Sequence, residues 1–245
     1  MSTTLPAPPR TSTPARGGRR LRRTVAGLLG VVAVVALAAG ALTLLSGRGT
    51  GTGPGASVAV IGDSYSTGTV LGGLGPANWT ARLGVDRDWR ITDTAVGGTG
   101  YVASHGGTGA FEAAQLDRAV TAGPDGTAPD VVVVQGSIND GLTDPGRVRA
   151  AAAALYAAIH ERAPAARLVV VGPPWPDGTP TREILALRDA VHGAATAAGA
   201  VWIDPIAEHW FADPALIGAD GVHPTDSGHA LIAARVGQDL RCDGV

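Results

Sequence analysis

Four short blocks hold side chains able to cooperate in nucleophilic chemistry. The first, Gly62-Asp63-Ser64-Tyr65-Ser66, directly follows an apolar β-branched run. A serine on a strand-to-helix turn exposes its hydroxyl, and a helix N-terminus beside it favours negative charge. The same turn serves equally as a helix cap or a phosphate-binding turn. The second block, Ala95-Val96-Gly97-Gly98-Thr99-Gly100-Tyr101, lets a backbone approach a ligand and aim an N–H at it. An ordinary turn looks the same, and the spacing is not the GxGxxG dinucleotide fingerprint. The third, Gly136-Ser137-Ile138-Asn139-Asp140, places Asn139 where its amide could donate to a developing oxyanion or close a turn. The fourth, Asp220-Gly221-Val222-His223-Pro224, pairs a histidine that can accept a serine proton with a carboxylate that can orient its ring. Taken singly, any histidine here reads as a solvated side chain. That reading stands for His105, His160, His192, His209 and His229.

The order Ser, Gly, Asn, His is the informative feature. With it the chain resembles the SGNH/GDSL hydrolase family over essentially all of residues 57–240. GDSYS corresponds to that family's first block, AVGGTG to its second, SINDG to its third and DGVH to its fifth. The resemblance implies a serine esterase working through an acyl-serine intermediate, with Ser64 as nucleophile, His223 as base and Asp220 orienting His223. It also implies an oxyanion hole formed by the N–H groups of Ser64 and Gly98 and the Asn139 side chain, with Gly97 the neighbouring alternative. The third block departs from the usual GxND, because Ser137 occupies the glycine position. An O-acyltransferase acting on cell-envelope glycans would use the same acyl-serine chemistry. A catalytically silent carbohydrate-binding module would share the fold, yet Ser64 and His223 are both retained. A flavodoxin-like nucleotide binder leaves the Asp220/His223 pair without a role. Small-molecule, glycan or lipid esters are the expected substrates, with short acyl groups favoured. Trp175, in Gly172-Pro173-Pro174-Trp175-Pro176, is a substrate-pocket candidate or part of a rigid packed loop. The sequence holds no metal-ligand cluster, and no cofactor is expected.

Positioning such residues requires a regular scaffold. Short β-branched runs at Ser57–Ile61, Arg90–Thr94, Asp130–Gln135, Arg167–Val171 and Ala200–Ile203 read as strands, and the continuously apolar ones suit a parallel sheet buried on both faces. Helical spacing fills Pro145–Ala163, Thr181–Ala198 and Thr225–Leu240. The alternation predicts an α/β fold, a flavodoxin-like three-layer α/β/α sandwich around a parallel sheet of about five strands. Ligands bind such sheets at the carboxyl ends of the strands, where the first three blocks fall, while the fourth precedes the last helix.

Composition sets the wider frame. Hydrophobic residues form 45% of the 245, enough for a substantial core. Residues 1–50 carry seven arginines and no acid, whereas residues 51–245 carry twelve arginines against twenty-one acids. An acidic body disfavours nucleic acid as a partner. Residues 1–23 read as a disordered basic tail, 24–46 as a transmembrane anchor or signal segment, 47–55 as a glycine-rich linker and 56–245 as the hydrolase domain. At about 1.5 Å per residue the apolar segment would span about 33 Å, enough for a hydrocarbon core. The arginines before it predict a cytoplasmic N-terminus and an extracytoplasmic domain at the cell membrane. The alternative is secretion after cleavage near Ala39, where small residues line up. Cys242 is the single cysteine, so no intrachain disulfide forms. Full-length protein should therefore sediment with membranes, its domain open to protease from outside. A mature form beginning near Ala39 would establish the secreted version, and a soluble cytoplasmic protein would contradict both.

Overall fold

The computed structural model describes residues 53, 55–176 and 178–242, without the side chains of the last two. The tail at 1–23, the apolar segment at 24–46, most of the linker and the Cys242 side chain lie outside the described residues. Among the described residues no helix is long and apolar enough to cross a membrane.

Five strands form the sheet: β1 (Ser57–Ile61), β2 (Arg90–Asp93), β3 (Val131–Gln135), β4 (Arg167–Val171) and β5 (Val201–Ile203). All pair in parallel in the order β2-β1-β3-β4-β5. The five strands expected from sequence are these, to within a residue at each end. Strand order reverses between β1 and β3, so their carboxyl ends open a crevice there.

Helices cover both faces. They are α1 (Ser64–Thr67), α2 (Trp79–Arg87), α3 (Phe111–Ala119), α4 (Pro145–Arg162), α5 (Arg182–Ala197) and α6 (Asp226–Cys242). Successive strand residues point to opposite faces, and the buried side chains sort accordingly. Ala59, Ile61, Val132, Val134, Leu168 and Val170 pack with α3, α4 and α5, for example against Phe111, Leu155 and Leu187. Val58, Val60, Val131, Val133, Val169 and Val171 pack with Trp79 and Leu83 of α2 and with Ile232, Val236 and Leu240 of α6. The result is the expected three-layer α/β/α sandwich.

α2 and α3 were not expected. Each has nine residues, and each starts beside the site. Asn78 caps α2 by accepting from Thr80 N at 2.9 Å, and its Nδ2 donates to the carbonyls of Ser66 (2.7 Å) and Gly73 (3.0 Å). The cap of α2 thereby ties down the chain leaving α1.

His229 corrects the expectation of a solvated side chain, since it is fully buried in α6. Its Nδ1 accepts from Trp79 N at 3.4 Å, and Gly73 packs so close that a Cβ there would lie 2.0 Å from Nε2. Burial pushes the imidazole down to about 4 from its ordinary 6.5. Between those values the unfolded chain binds the extra proton, so the stability His229 contributes is present above pH 6.5 and is lost as pH falls toward 4. His229→Asn keeps an acceptor without a titrating ring, and should cost stability at pH 7. Urea titrations should show that deficit narrowing steadily from pH 6.5 to 4, and a deficit independent of pH would show that His229 is not held neutral.

Candidate active site

The turn after β1 is built to hold Ser64 still. Gly62 is gripped on both sides by Gln115 of α3, whose Oε1 accepts from Gly62 N at 2.8 Å and whose Nε2 donates to Gly62 O at 2.9 Å. A Cβ at Gly62 would stand 2.6 Å from Ser66 Oγ, so the close approach requires glycine. Asp63 caps α1, its Oδ1 accepting from Tyr65 N at 2.9 Å. Ser64 is the first helical residue and is partly exposed. Because α1 is only one turn long, its dipole adds little, and individual N–H groups must supply any stabilisation of negative charge. This corrects the expectation that a helix N-terminus does so.

His223 reaches Ser64 from the segment before α6. Nε2 lies 3.0 Å from Ser64 Oγ, and Nδ1 lies 2.5 Å from Asp220 Oδ2. With a carboxylate accepting at Nδ1, the neutral ring carries its proton there and Nε2 is left to accept from the serine hydroxyl. Asp220 Oδ1 also accepts from the N–H groups of Val222 (2.9 Å) and His223 (3.0 Å). These donors, the imidazole first, hold the Asp220 carboxyl down to about 2. It is ionised at neutral pH.

Asp63 is the opposite case. Burial pushes its carboxyl up to about 7, against the pull of the Tyr65 N–H and the neighbouring Gln135 amide. Its surroundings favour the protonated form far more than those of a surface carboxyl do.

The loops after β2 and β3 close the other side. Gly98 has φ +76°, and a Cβ there would meet His105 at 2.9 Å; a Cβ on Gly97 would lie 3.8 Å from Ser64 Cβ. The Gly97–Gly98 peptide is thus beside the nucleophile. Asn139 Nδ2 donates to Thr99 O at 2.9 Å. A primary amide has two N–H donors, so this bond fixes the amide plane and leaves one donor for a substrate oxygen. The Asp140 carboxylate takes three backbone N–H groups, from Tyr101 (3.1 Å), Val102 (2.9 Å) and Ala103 (2.9 Å). It binds the second block to the third.

The structure therefore joins Ser64, His223 and Asp220 in one hydrogen-bonded chain, sets Gly97 beside Ser64, and ties Asn139 to Thr99, the residue after Gly98. Trp175 lies further off, in a small cleft of about 50 Å³ with Pro180, Pro205, Trp210 and Phe211; of these, Phe211 touches Tyr65. Gln115 and His105 were not foreseen. Neither lies in a block, and a lone glutamine on a helix carries no spacing signal. Asp140 was in view only as a turn residue, and its adjacency to Asn139 was the available hint.

Against this geometry the comparisons fall into line. A model of the GDSL-like lipase/acylhydrolase family matches residues 60–231, and the chain belongs to that family. It is a serine ester hydrolase of the SGNH type. It is similar to the GDSL lipase Rv0518 of Mycobacterium tuberculosis, with 45% identity over 190 residues, 73% of this chain and 79% of the relative. Among solved structures it shares its fold with TesA (TM-score 0.59, 22% identity, 76% of this chain and 98% of that one). It does so too with the psychrotrophic esterase EstA from Pseudoalteromonas sp. (0.58, 15%, 76% and 97%). A family two carbohydrate esterase from Cellvibrio japonicus is similar in fold as well (0.59, 16%, 78% and 62%).

Ser137 explains why the third block usually has glycine. Its φ is +105° and ψ −7°, a left-handed conformation, and its buried Oγ has no partner among the described residues. Such strain costs about 1–3 kcal/mol and an unsatisfied hydroxyl about 1–3 kcal/mol, whereas glycine adds about 0.5–1 kcal/mol of backbone entropy loss. Ser137→Gly should raise stability by about 1 kcal/mol or more by urea titration, with kcat unchanged. A lower urea midpoint would show that serine is accommodated without cost.

Proposed function

We propose that this chain is an extracytoplasmic esterase, anchored in the membrane by residues 24–46, that hydrolyses short-acyl carboxylic esters at Ser64. The observation that carries the reading is the unbroken chain from Ser64 Oγ to His223 Nε2 (3.0 Å) and from His223 Nδ1 to Asp220 Oδ2 (2.5 Å). As Ser64 Oγ attacks the ester carbonyl, Nε2 takes its proton, and the ionised Asp220 stabilises the imidazolium without accepting that proton. The carbonyl oxygen becomes an oxyanion, which this reading assigns to the Ser64 and Gly98 N–H groups and the remaining Asn139 N–H. His223 returns the proton to the leaving alkoxide. Water then attacks the acyl-serine by the same steps in reverse order of roles, releasing acid and free Ser64.

Partial exposure of Ser64 and His223 keeps water at the acyl-serine, which favours hydrolysis over transfer to a sugar hydroxyl. Leu71, partly exposed and packed near Gly218 and the His223 carbonyl, supplies an apolar lip for the few carbons next to the ester.

A fluorophosphonate should label Ser64, and label persisting in Ser64→Ala would sink the assignment. Ser66, whose Oγ is bonded to Gln135 at 2.8 Å, should be dispensable for labelling. His223→Ala should lower kcat by about 10⁴-fold or more, and Asp220→Ala by less. Asn139→Ala should lower kcat by about 100- to 1000-fold with little change in KM; a near-normal kcat would remove Asn139 from the oxyanion hole. Nitrophenyl acetate and butyrate should outrun the palmitate, and the reverse order would exclude a short-acyl enzyme.

A further inference from the structure

Tyr65, the residue after the nucleophile, is bound at both ends. Its N–H donates to the Asp63 cap, and its hydroxyl donates to the Val222 carbonyl at 2.5 Å, 157 residues along the chain. The ring is buried, with an edge contact to Phe211 at 6.0 Å and a tilted contact to the His223 ring at 6.3 Å.

The acceptor matters. Val222 C=O and His223 N–H belong to one peptide plane. Asp220 Oδ1 takes the N–H side of that plane at 3.0 Å, and Tyr65 takes the carbonyl side. Gly218 N to His223 O at 2.8 Å and the Ile217–Pro224 bridge set the shape of the loop. Its far end is tied to the chain after α1, where Gly73 N donates to Asp226 Oδ1 at 2.8 Å and Gly72 packs on the Pro224 carbonyl. The Tyr65 bond runs from the nucleophile's own helix to the backbone of the base.

We propose that Tyr65 is a positioning residue acting through His223: by pinning the Val222–His223 peptide to α1, its hydroxyl fixes the approach of Nε2 to Ser64 Oγ. The inference rests on the reading of His223 as the base. Burial raises the phenol well above its ordinary value, so the hydroxyl stays a donor throughout the working pH range. A small tilt of the 222–223 peptide is magnified at the far end of the imidazole, and a misplacement of about 1 Å at a reacting group costs on the order of 100-fold in rate.

Tyr65→Phe deletes the hydroxyl and keeps the ring against Phe211. It should fold with a thermal midpoint close to the parent's, since Val222 is 40% exposed and water can serve its carbonyl. The expected result is a fall in kcat of about 10- to 100-fold with KM changed less than about twofold, and an equal slowing of fluorophosphonate labelling. The discriminating measurement is labelling of His223→Ala and of the Tyr65→Phe/His223→Ala double variant. If Tyr65 acts through His223, the two label at the same rate, because no imidazole remains to be positioned. Equal slowing by Tyr65→Phe in both backgrounds, or a single variant with parental kcat, overturns the inference. If His223→Ala itself labels at the parental rate, the reading of His223 as base has failed, and the inference falls with it.

Discussion

The 3.0 Å between Ser64 Oγ and His223 Nε2 is a contact between residues 159 positions apart, and no local structure fixes it. Ser64 hangs from the carboxyl end of β1, while His223 comes from a loop that precedes a helix on one face of the sheet. For the proton to pass, both must be held to a few tenths of an ångström. The parallel sheet supplies the coarse placement, since the order β2-β1-β3-β4-β5 puts the ends of β2, β1 and β3 side by side. The fine placement falls to buried polar side chains that link one loop to the next.

Those side chains share a pattern. Gln115 bonds both the N–H and the carbonyl of Gly62 and also reaches Thr99 Oγ1 at 3.1 Å. Asp140 gathers three successive N–H groups from 101–103, and Asn139 takes the carbonyl of Thr99. Each bond contributes only about 1 kcal/mol net to folding. Their greater effect is to remove the freedom of the glycine-rich loops around Ser64, so that the proposed oxyanion donors would need no reorganisation as charge develops. Gly98 adopts its left-handed conformation because, lacking a Cβ, it does so without steric cost.

The strands, the three longest helices and the sandwich were legible in the sequence, since continuous apolar runs such as DVVVVQ and long alanine-rich helices carry strong periodic signals. α2 and α3 were not. In α2 only Trp79, Thr80 and Leu83 are buried, too few turns for a stripe to show, and α3 follows a glycine-rich stretch that reads as loop. The site blocks were legible as a conjunction, and the first and fourth meet in the Ser64–His223–Asp220 chain of hydrogen bonds. What the sequence hid was the supporting shell. Gln115, the hydroxyl of Tyr65 and the buried ring of His229 act through partners 53, 157 and 150 residues away, and nothing in a linear pattern signals a buried polar side chain's partner. The Ser137 departure was visible, but its meaning required the backbone angle.

Two carboxyl groups near the same imidazole are driven in opposite directions by their surroundings. Asp220 sits on an exposed segment with three donors and stays ionised; Asp63 is sealed behind Ser64 with one backbone donor, and burial lifts it to about 7. Both lie close enough to His223 to feel its charge. Only the Asp220 charge is aligned along the Nδ1 bond. There it is placed to stabilise an imidazolium as one forms in the transition state. Burial and donors thus set apart two carboxyl groups around one serine: the one that caps α1 is pushed toward its neutral form, and the one against the ring is held ionised.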